Sequence, residues 1–210
     1  MLCEKFNIEA SRWEILKLEF GFNIQTPLPA KTYVPLFLWC KKNIFQNVMY
    51  KNKCFERKSY FTEYAVKSYD KAEQLKQQRE KIIISENLLR IEKCYEQKRR
   101  LPLKVTTLAD LQKESGIKSL YGDFEKTINQ IVFAGEYNYD ELNAATLEEQ
   151  SLFFAALHPD FLKVEKKLNK KELREMKANI RQLRERFFKK EFKSFLLKSL
   201  KDKYIKLYCS

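Results

Sequence analysis

The chain has 210 residues, 41 Lys and Arg against 28 Asp and Glu, and a net charge of +13. With 44% hydrophobic and 14% aromatic residues it can fill a core, which excludes a wholly disordered chain. The single histidine, His158, excludes a metal site built from several imidazoles. Four glycines leave no Gly-rich phosphate loop, and neither GxGxxG nor a GxxxxGK motif occurs.

Five cysteines, at 3, 40, 54, 94 and 209, are widely separated and form no CxxC pair, so neither a zinc site nor a dense disulfide framework is expected. The longest apolar run, Val34 to Cys40, contains Pro35 and is far shorter than the roughly 20 residues that cross a bilayer. The opening MLCEKFNIEASRW lacks the basic head, apolar stretch and cleavage site of a signal peptide. The expectation is a reduced, soluble, cytoplasmic protein with no membrane partner.

Along the chain, residues 3 to 11 read as a short helix. Trp13 to Ile24 reads as a strand with Leu16, Leu18, Phe20, Phe22 and Ile24 on one face and Lys17, Glu19, Gly21 and Asn23 on the other. Pro27 and Pro29 break it, and Leu36 to Val48 then reads as a buried helix. Tyr60 to Tyr69 is a second expected strand, rich in aromatic and β-branched residues, with Phe61, Glu63, Ala65, Lys67 and Tyr69 sharing a face. KAEQLKQQREK follows as a helical turn or exposed connection. Leu88 to Tyr95 is the third strand, with Arg90 and Glu92 opposite Leu89 and Ile91.

From Thr107 onward the pattern is helical. Thr107 can cap a helix through Leu108 and Leu111, and Leu120 to Phe133 carries apolar residues at helical spacing. Thr146 and Glu149 form a capping box ahead of Leu152 to Leu157. A last helix from Asn169 to Tyr208 puts Leu173, Met176, Ile180, Leu183 and Phe187 on one stripe. The expected class is α+β, an antiparallel sheet followed by a helical region, divided as a sheet portion over 1–105 and a basic helical portion over 106–210.

Residues 161–210 hold 17 Lys and Arg against 6 Asp and Glu, a net +11, while the first 160 residues carry about +2. That asymmetry points to an anionic partner for the tail, most often nucleic acid, with Arg181, Arg184, Lys189 and Lys190 as candidate phosphate contacts. A solvated helix with no specific partner is the alternative.

The polar faces of the three strands supply Glu19 and Asn23, then Lys67, Tyr69 and the adjoining Lys71, then Arg90 and Glu92. Two carboxylates can hold a hard divalent cation, Lys or Arg can stabilise charge at a phosphate, and a tyrosine hydroxyl can attack phosphorus. The same residues also read as ordinary cross-strand charge pairs with Tyr69 a packed aromatic.

AVKSYDKAEQ at 65–74, followed by NLLRIE at 87–92, with LEFGFNI at 18–24 upstream and TTLADL at 106–111 downstream, resembles an ordered motif set of one family. It is similar to the replication initiators of filamentous phages and rolling-circle plasmids, over about residues 12 to 130. That resemblance implies a nuclease-type sheet domain that nicks and rejoins a strand of origin DNA, single-stranded or in a hairpin, through a phosphotyrosine. It implies Tyr69 as nucleophile, Lys71 and Arg90 as basic catalytic residues, and Glu19 and Glu92 as ligands of Mg²⁺ or Mn²⁺. Lys67 would contact DNA, and a host replication helicase would be a further partner; Asn23 receives no role. Family members carry further strands ahead of the one holding Glu19, whereas 12 residues precede Trp13 here, so part of the family's sheet is expected to be missing. The family's paired-histidine metal motif is absent, which leaves the carboxylates as ligands. A truncated, non-catalytic DNA-binding protein of the same family is the alternative reading.

His158-Pro159-Asp160 spells a tripeptide of co-chaperone J-domains, but the acidic, apolar segment before it does not fit, and Pro159 reads as a helix stop. Tyr137 and Tyr139 lack a strand context and a fitting Lys.

Overall fold

The computed structural model describes residues 9–50, 53–78, 84–102, 105–134, 137–157, 161, 169–189 and 191–208, with the backbone alone at 50 and 53–55. His158 and Lys190 lie outside these residues. The chain divides into two compact units, Met1–Phe133 with Phe195–Ser210, and Ala134–Ser194. The helix and strand that follow residue 113 belong to the first of these units.

The first unit is built on strand β1 (Leu18–Gln25), short helix α1 (Ala30–Tyr33), strands β2 (Phe37–Cys40), β3 (Asn43–Ile44), β4 (Gln46–Tyr50), β5 (Lys53–Tyr60) and β6 (Tyr64–Asp70). Helix α2 (Lys71–Gln77), strand β7 (Leu88–Tyr95), helix α3 (Glu114–Asn129) and strand β8 (Ile131–Phe133) follow. Five strands form an antiparallel sheet in the order β1-β7-β6-β5-β4, and three form a smaller one, β3-β2-β8. The class is α+β, as the alternating strands and later helical periodicity imply.

Alternation decides what the large sheet buries. Phe20 and Phe22 of β1 turn to α3, where their rings meet Phe124 at 5.8 and 5.5 Å. Ile24, Leu89 and Ile91 are fully buried. A lysine also lies in this layer: Lys93 donates to Asp123 Oδ2 (2.5 Å) and Thr127 Oγ1 (3.0 Å) of α3, and Tyr95 donates to the same carboxylate at 2.6 Å. Burial of such a charge is tolerable only because Asp123 neutralises it.

Four sequence expectations in this unit are corrected. The stretch 36–48 is not a helix: Phe37 to Cys40 is a strand that turns at Lys41, in the left-handed region at φ 53°, and returns as β3 and β4. A short apolar run carries no periodicity that separates strand from helix, and here Phe37 packs on Phe45 and Phe133 at 5.4 and 4.9 Å. The expected strand 60–69 belongs to two strands, since Phe61 N–H donates to the carbonyl of Tyr64 and closes a turn between β5 and β6. The strand expected from Trp13 begins only at Leu18; Ile15 N–H instead donates to Thr106 O at 3.0 Å, and Ile15 joins a core cluster with Tyr95, Leu101, Val105 and Leu120. Helix periodicity through Phe133 stops at Asn129, beyond which β8 pairs with β2.

The second unit contains α4 (Tyr139–Asn143), α5 (Leu147–Leu157) and α6 (Lys170–Phe187); helix α7 (Glu191–Tyr208) then leads back to the first. The Thr146–Glu149 capping box forms, with Thr146 N–H donating to Glu149 Oε2 (3.0 Å) and Glu149 N–H to Thr146 Oγ1 (3.2 Å). The single helix expected over 169–208 is interrupted. Phe188 is extended (φ −105°, ψ 130°), pairs with Tyr137 and stacks on its ring at 5.6 Å. Burying adjacent Phe187 and Phe188 against Tyr137 and Phe153 requires both rings to point one way, which a continuous helix forbids. Among the described residues, no helix is long and apolar enough to cross a membrane.

Candidate active site

Strand register assembles the polar face of the large sheet in rows. Glu19, Cys94, Ala65 and Tyr60 are successive cross-strand partners on β1, β7, β6 and β5. Gly21, Glu92, Lys67 and Lys58 form the next row, and Asn23, Arg90, Tyr69 and Glu56 the third. Residues two apart on one strand share a face, so all three rows lie on one side of the sheet.

Glu92 is the hub. Its Oε1 accepts from Tyr69 Oη at 3.1 Å and from Arg90 Nε at 2.5 Å. Its Oε2 lies 3.9 Å from Lys67 Nζ, which donates to Glu19 Oε1 at 2.7 Å. Arg90 uses Nη1 to donate to Asn23 Oδ1 at 3.0 Å. Gly21 is required beside this carboxylate: a Cβ there would fall 2.7 Å from Glu92 Cγ and 2.9 Å from its Cα. The missing side chain lets Glu92 lie flat across β1.

The electrostatics follow from these bonds. The bond to Lys67 and its charge hold the Glu19 carboxyl below the ordinary carboxylate range. Burial would favour a neutral Lys67, but the Glu19 bond prevails and its ammonium is held above the ordinary range. Burial pushes the Tyr69 hydroxyl up, and the charge of Glu92 adds to the shift. Glu56, half-buried on β5, is raised by burial. Burial likewise pushes the Cys94 thiol up to about 12.

Five expected site residues thus meet: Glu19, Lys67, Tyr69, Arg90 and Glu92. Lys71 stands at the edge. Asp70 caps α2 by accepting from Glu73 N–H at 3.1 Å, which places Lys71 at the first helical position, with its amine 5.9 Å from the Tyr69 ring centroid and donating to Gln74 at 2.6 Å. Tyr69 is 3% exposed, so a phosphodiester reaches its hydroxyl only if the side chain turns outward or its cover moves.

A hard divalent ion finds two oxygen donors here. Glu19, Glu92 and Cys94 each place a ligand atom within 4.8 Å of the others. The thiol, kept protonated, is no ligand for such an ion, whereas the two carboxylates are. The donor set fits through Glu19 and Glu92 provided Lys67 swings away, because its ammonium bridges the same two groups.

Compared with the models of known protein families and with curated proteins, the chain matches none. The assignment of this cluster therefore rests on its own geometry.

The proposed DNA contacts on the second unit fare differently from one another. Arg181 and Lys189 are exposed. Arg184 points inward, its Nη2 donating to the Ala156 carbonyl in the last turn of α5 at 2.9 Å, and burial lowers its guanidinium to about 10. Exposed Lys170, Arg174, Lys177 and Arg181, at helical spacings of four, three and four, form a basic stripe along α6. Sequence reasoning missed Glu56 and Lys58 on the same face as the cluster, because neither face of the KCFERKSY stretch is apolar.

Proposed function

We propose that this chain is a DNA replication initiator of the rolling-circle kind, with the polar sheet face as a strand-nicking and strand-joining site. The observation that carries the reading is the convergence of Tyr69, Arg90, Lys67 and Glu19 on the buried carboxylate of Glu92. An attacking hydroxyl, a proton acceptor and two cations for a phosphate are the groups such chemistry needs. Tyr69 Oη would attack phosphorus while Glu92 Oε1, which already accepts its hydrogen bond, takes the proton. The P–O3′ bond breaks, the departing 3′ oxygen takes up the proton, and the 5′ phosphate remains as an ester of Tyr69. Reversal by a 3′-hydroxyl rejoins the strand. Arg90 and Lys67 would neutralise the non-bridging oxygens. Glu19 and Glu92 would hold Mg²⁺ or Mn²⁺, which when bound polarises the phosphate.

One observation favours a second reading, a DNA-binding protein that does not cut: Tyr69 is buried and both carboxylates of the cluster are already matched by cations. The test is incubation with a randomised single-stranded oligonucleotide pool and MnCl₂, followed by denaturing electrophoresis. A covalent adduct lost in Tyr69→Phe supports nicking; salt-sensitive binding without an adduct supports the binder.

A further inference from the structure

Helix α7 returns from the second unit to the free edge of the large sheet. There Leu196 and Leu200 are fully buried, and Tyr204 stacks on Tyr121 of α3 with ring centroids 4.2 Å apart. That stack fixes the rotation of the helix, so that Lys203 and Leu207, four residues apart on one face, look toward β1. Between them and the strand lies a cleft of about 230 Å³, whose lining includes Gly21, Phe22, Asn23 and Arg90. It opens directly beside the third row of the candidate site, because Asn23 and Arg90 belong to both.

The lining has two characters. Arg90 and Lys203 bring two cations with the Asn23 amide between sheet and helix, and no carboxylate pairs with Lys203 among the described residues. Arg90 spends two of its five N–H donors on Glu92 and Asn23. Half-buried Phe20 and exposed Leu207 supply apolar surface. Paired cations beside an apolar wall suit a phosphate attached to a flat, weakly polar body. The volume is below that of pockets enclosing a whole drug-sized ligand, which suits a single nucleotide with part of it in solvent.

We infer that this cleft binds one nucleotide of a single DNA strand, its phosphate held by Lys203 and Arg90 and its sugar or base against Phe20 and Leu207. The inference rests on the reading of the sheet face as a DNA site and adds to it the residues that set the path of the strand next to the cluster. Lys203 is then a positioning residue, 134 positions along the chain from Tyr69.

The probe is thymidine 3′,5′-bisphosphate, titrated calorimetrically into the full chain at low salt. Lys203→Ala is expected to weaken binding about tenfold, the effect of one lost charged hydrogen bond. Lys203→Arg is expected to restore most of it. Lys201→Ala, an exposed lysine two residues away that faces elsewhere, is expected to change affinity less than twofold. Thermal melts establish that each variant is folded. Equal affinities for the Lys203→Ala and Lys201→Ala variants, or no binding by the wild type, overturn the inference. The outcomes are separable from nicking: bisphosphate binding lost in Lys203→Ala without any Tyr69 adduct sinks the nicking reading alone. An adduct formed by a protein whose bisphosphate affinity ignores Lys203 sinks the cleft alone.

Discussion

The ammonium of Lys67 reaches across β7 to lie 2.7 Å from the carboxylate of Glu19, two strands away in the sheet. It thereby bridges the two groups that would hold a divalent ion, and lysine and metal become alternative occupants of one place. Lys67→Met leaves the carboxylates together with no bridging charge. A unit charge about 4 Å away is worth several kcal/mol at a surface-like dielectric, so the variant should bind Mn²⁺ at least about tenfold more tightly. Titration followed by the electron paramagnetic resonance of free Mn²⁺ reads this directly. Unchanged or weaker binding in the variant would mean that Glu19 and Glu92 are a structural ion pair with Lys67 and nothing more.

The same pair sets a pH dependence. Glu19 is depressed by its bond to Lys67; its contribution is present above the unfolded value of about 4.3 and is lost as pH falls through the folded value. Lys67 is raised, so its contribution is present below about 10.4 and is lost as pH rises through the folded value. Between these limits the pair is intact. The Glu19 side chain is 56% exposed, which screens the interaction to at most about 1 kcal/mol. Glu19→Gln should therefore lower Tm by about 3 °C at pH 7 and at pH 9. The deficit should shrink as pH falls below the unfolded value and through the folded one, because the wild-type carboxyl then becomes protonated too. A deficit that stays constant down to the acid limit of the folded state would assign the loss to packing.

How much of this site could be read from the sequence depended on the strand. β7 was legible residue for residue, because Leu, Arg, Ile and Glu alternate strictly over 89–92. Once β1 and β6 were placed by the same rule, Glu19, Lys67, Tyr69, Arg90 and Glu92 fell on one face, and register alone brought them together. Glu56 and Lys58 stayed hidden because KCFERKSY alternates charge with charge and shows no apolar face. The return of α7 to the sheet left no local mark either. Apolar residues continue with little change of phase from α6 into α7, and only the packing of Phe188 on Tyr137 reveals where one helix stops.

Glu92 should be the costliest polar position to alter. It is 4% exposed and receives a tyrosine and an arginine on one oxygen. Glu92→Gln removes the charge that compensates Arg90 and leaves that guanidinium half-buried without its anion. Breaking one side of a buried pair costs about 3–5 kcal/mol. Tyr69→Phe removes only one hydrogen bond from the same carboxylate and should cost about 1 kcal/mol. Urea unfolding of the two variants side by side checks the ranking. A Tyr69→Phe loss equal to that of Glu92→Gln would mean that the hydroxyl, not the ion pair, holds the cluster together.

Arg181 and Arg184 sit three residues apart on α6 yet should answer differently to substitution. Arg181 is exposed on a stripe with Lys170, Arg174 and Lys177, and a phosphate contact there should release counterions. Arg184 instead donates to the Ala156 carbonyl and joins α6 to the end of α5. Replacing the four stripe residues by Gln should weaken single-stranded DNA binding. It should also flatten the dependence of log affinity on log salt by about 3, at roughly 0.7 for each phosphate contact on a single strand. Arg184→Gln should leave that slope unchanged and lower the unfolding midpoint by removing a partly buried hydrogen bond. Salt titrations of fluorescence anisotropy, paired with melts, separate the two effects. If Arg184→Gln flattens the slope while the quadruple variant does not, the basic stripe is a solvated helix face and the nucleic-acid contact lies elsewhere.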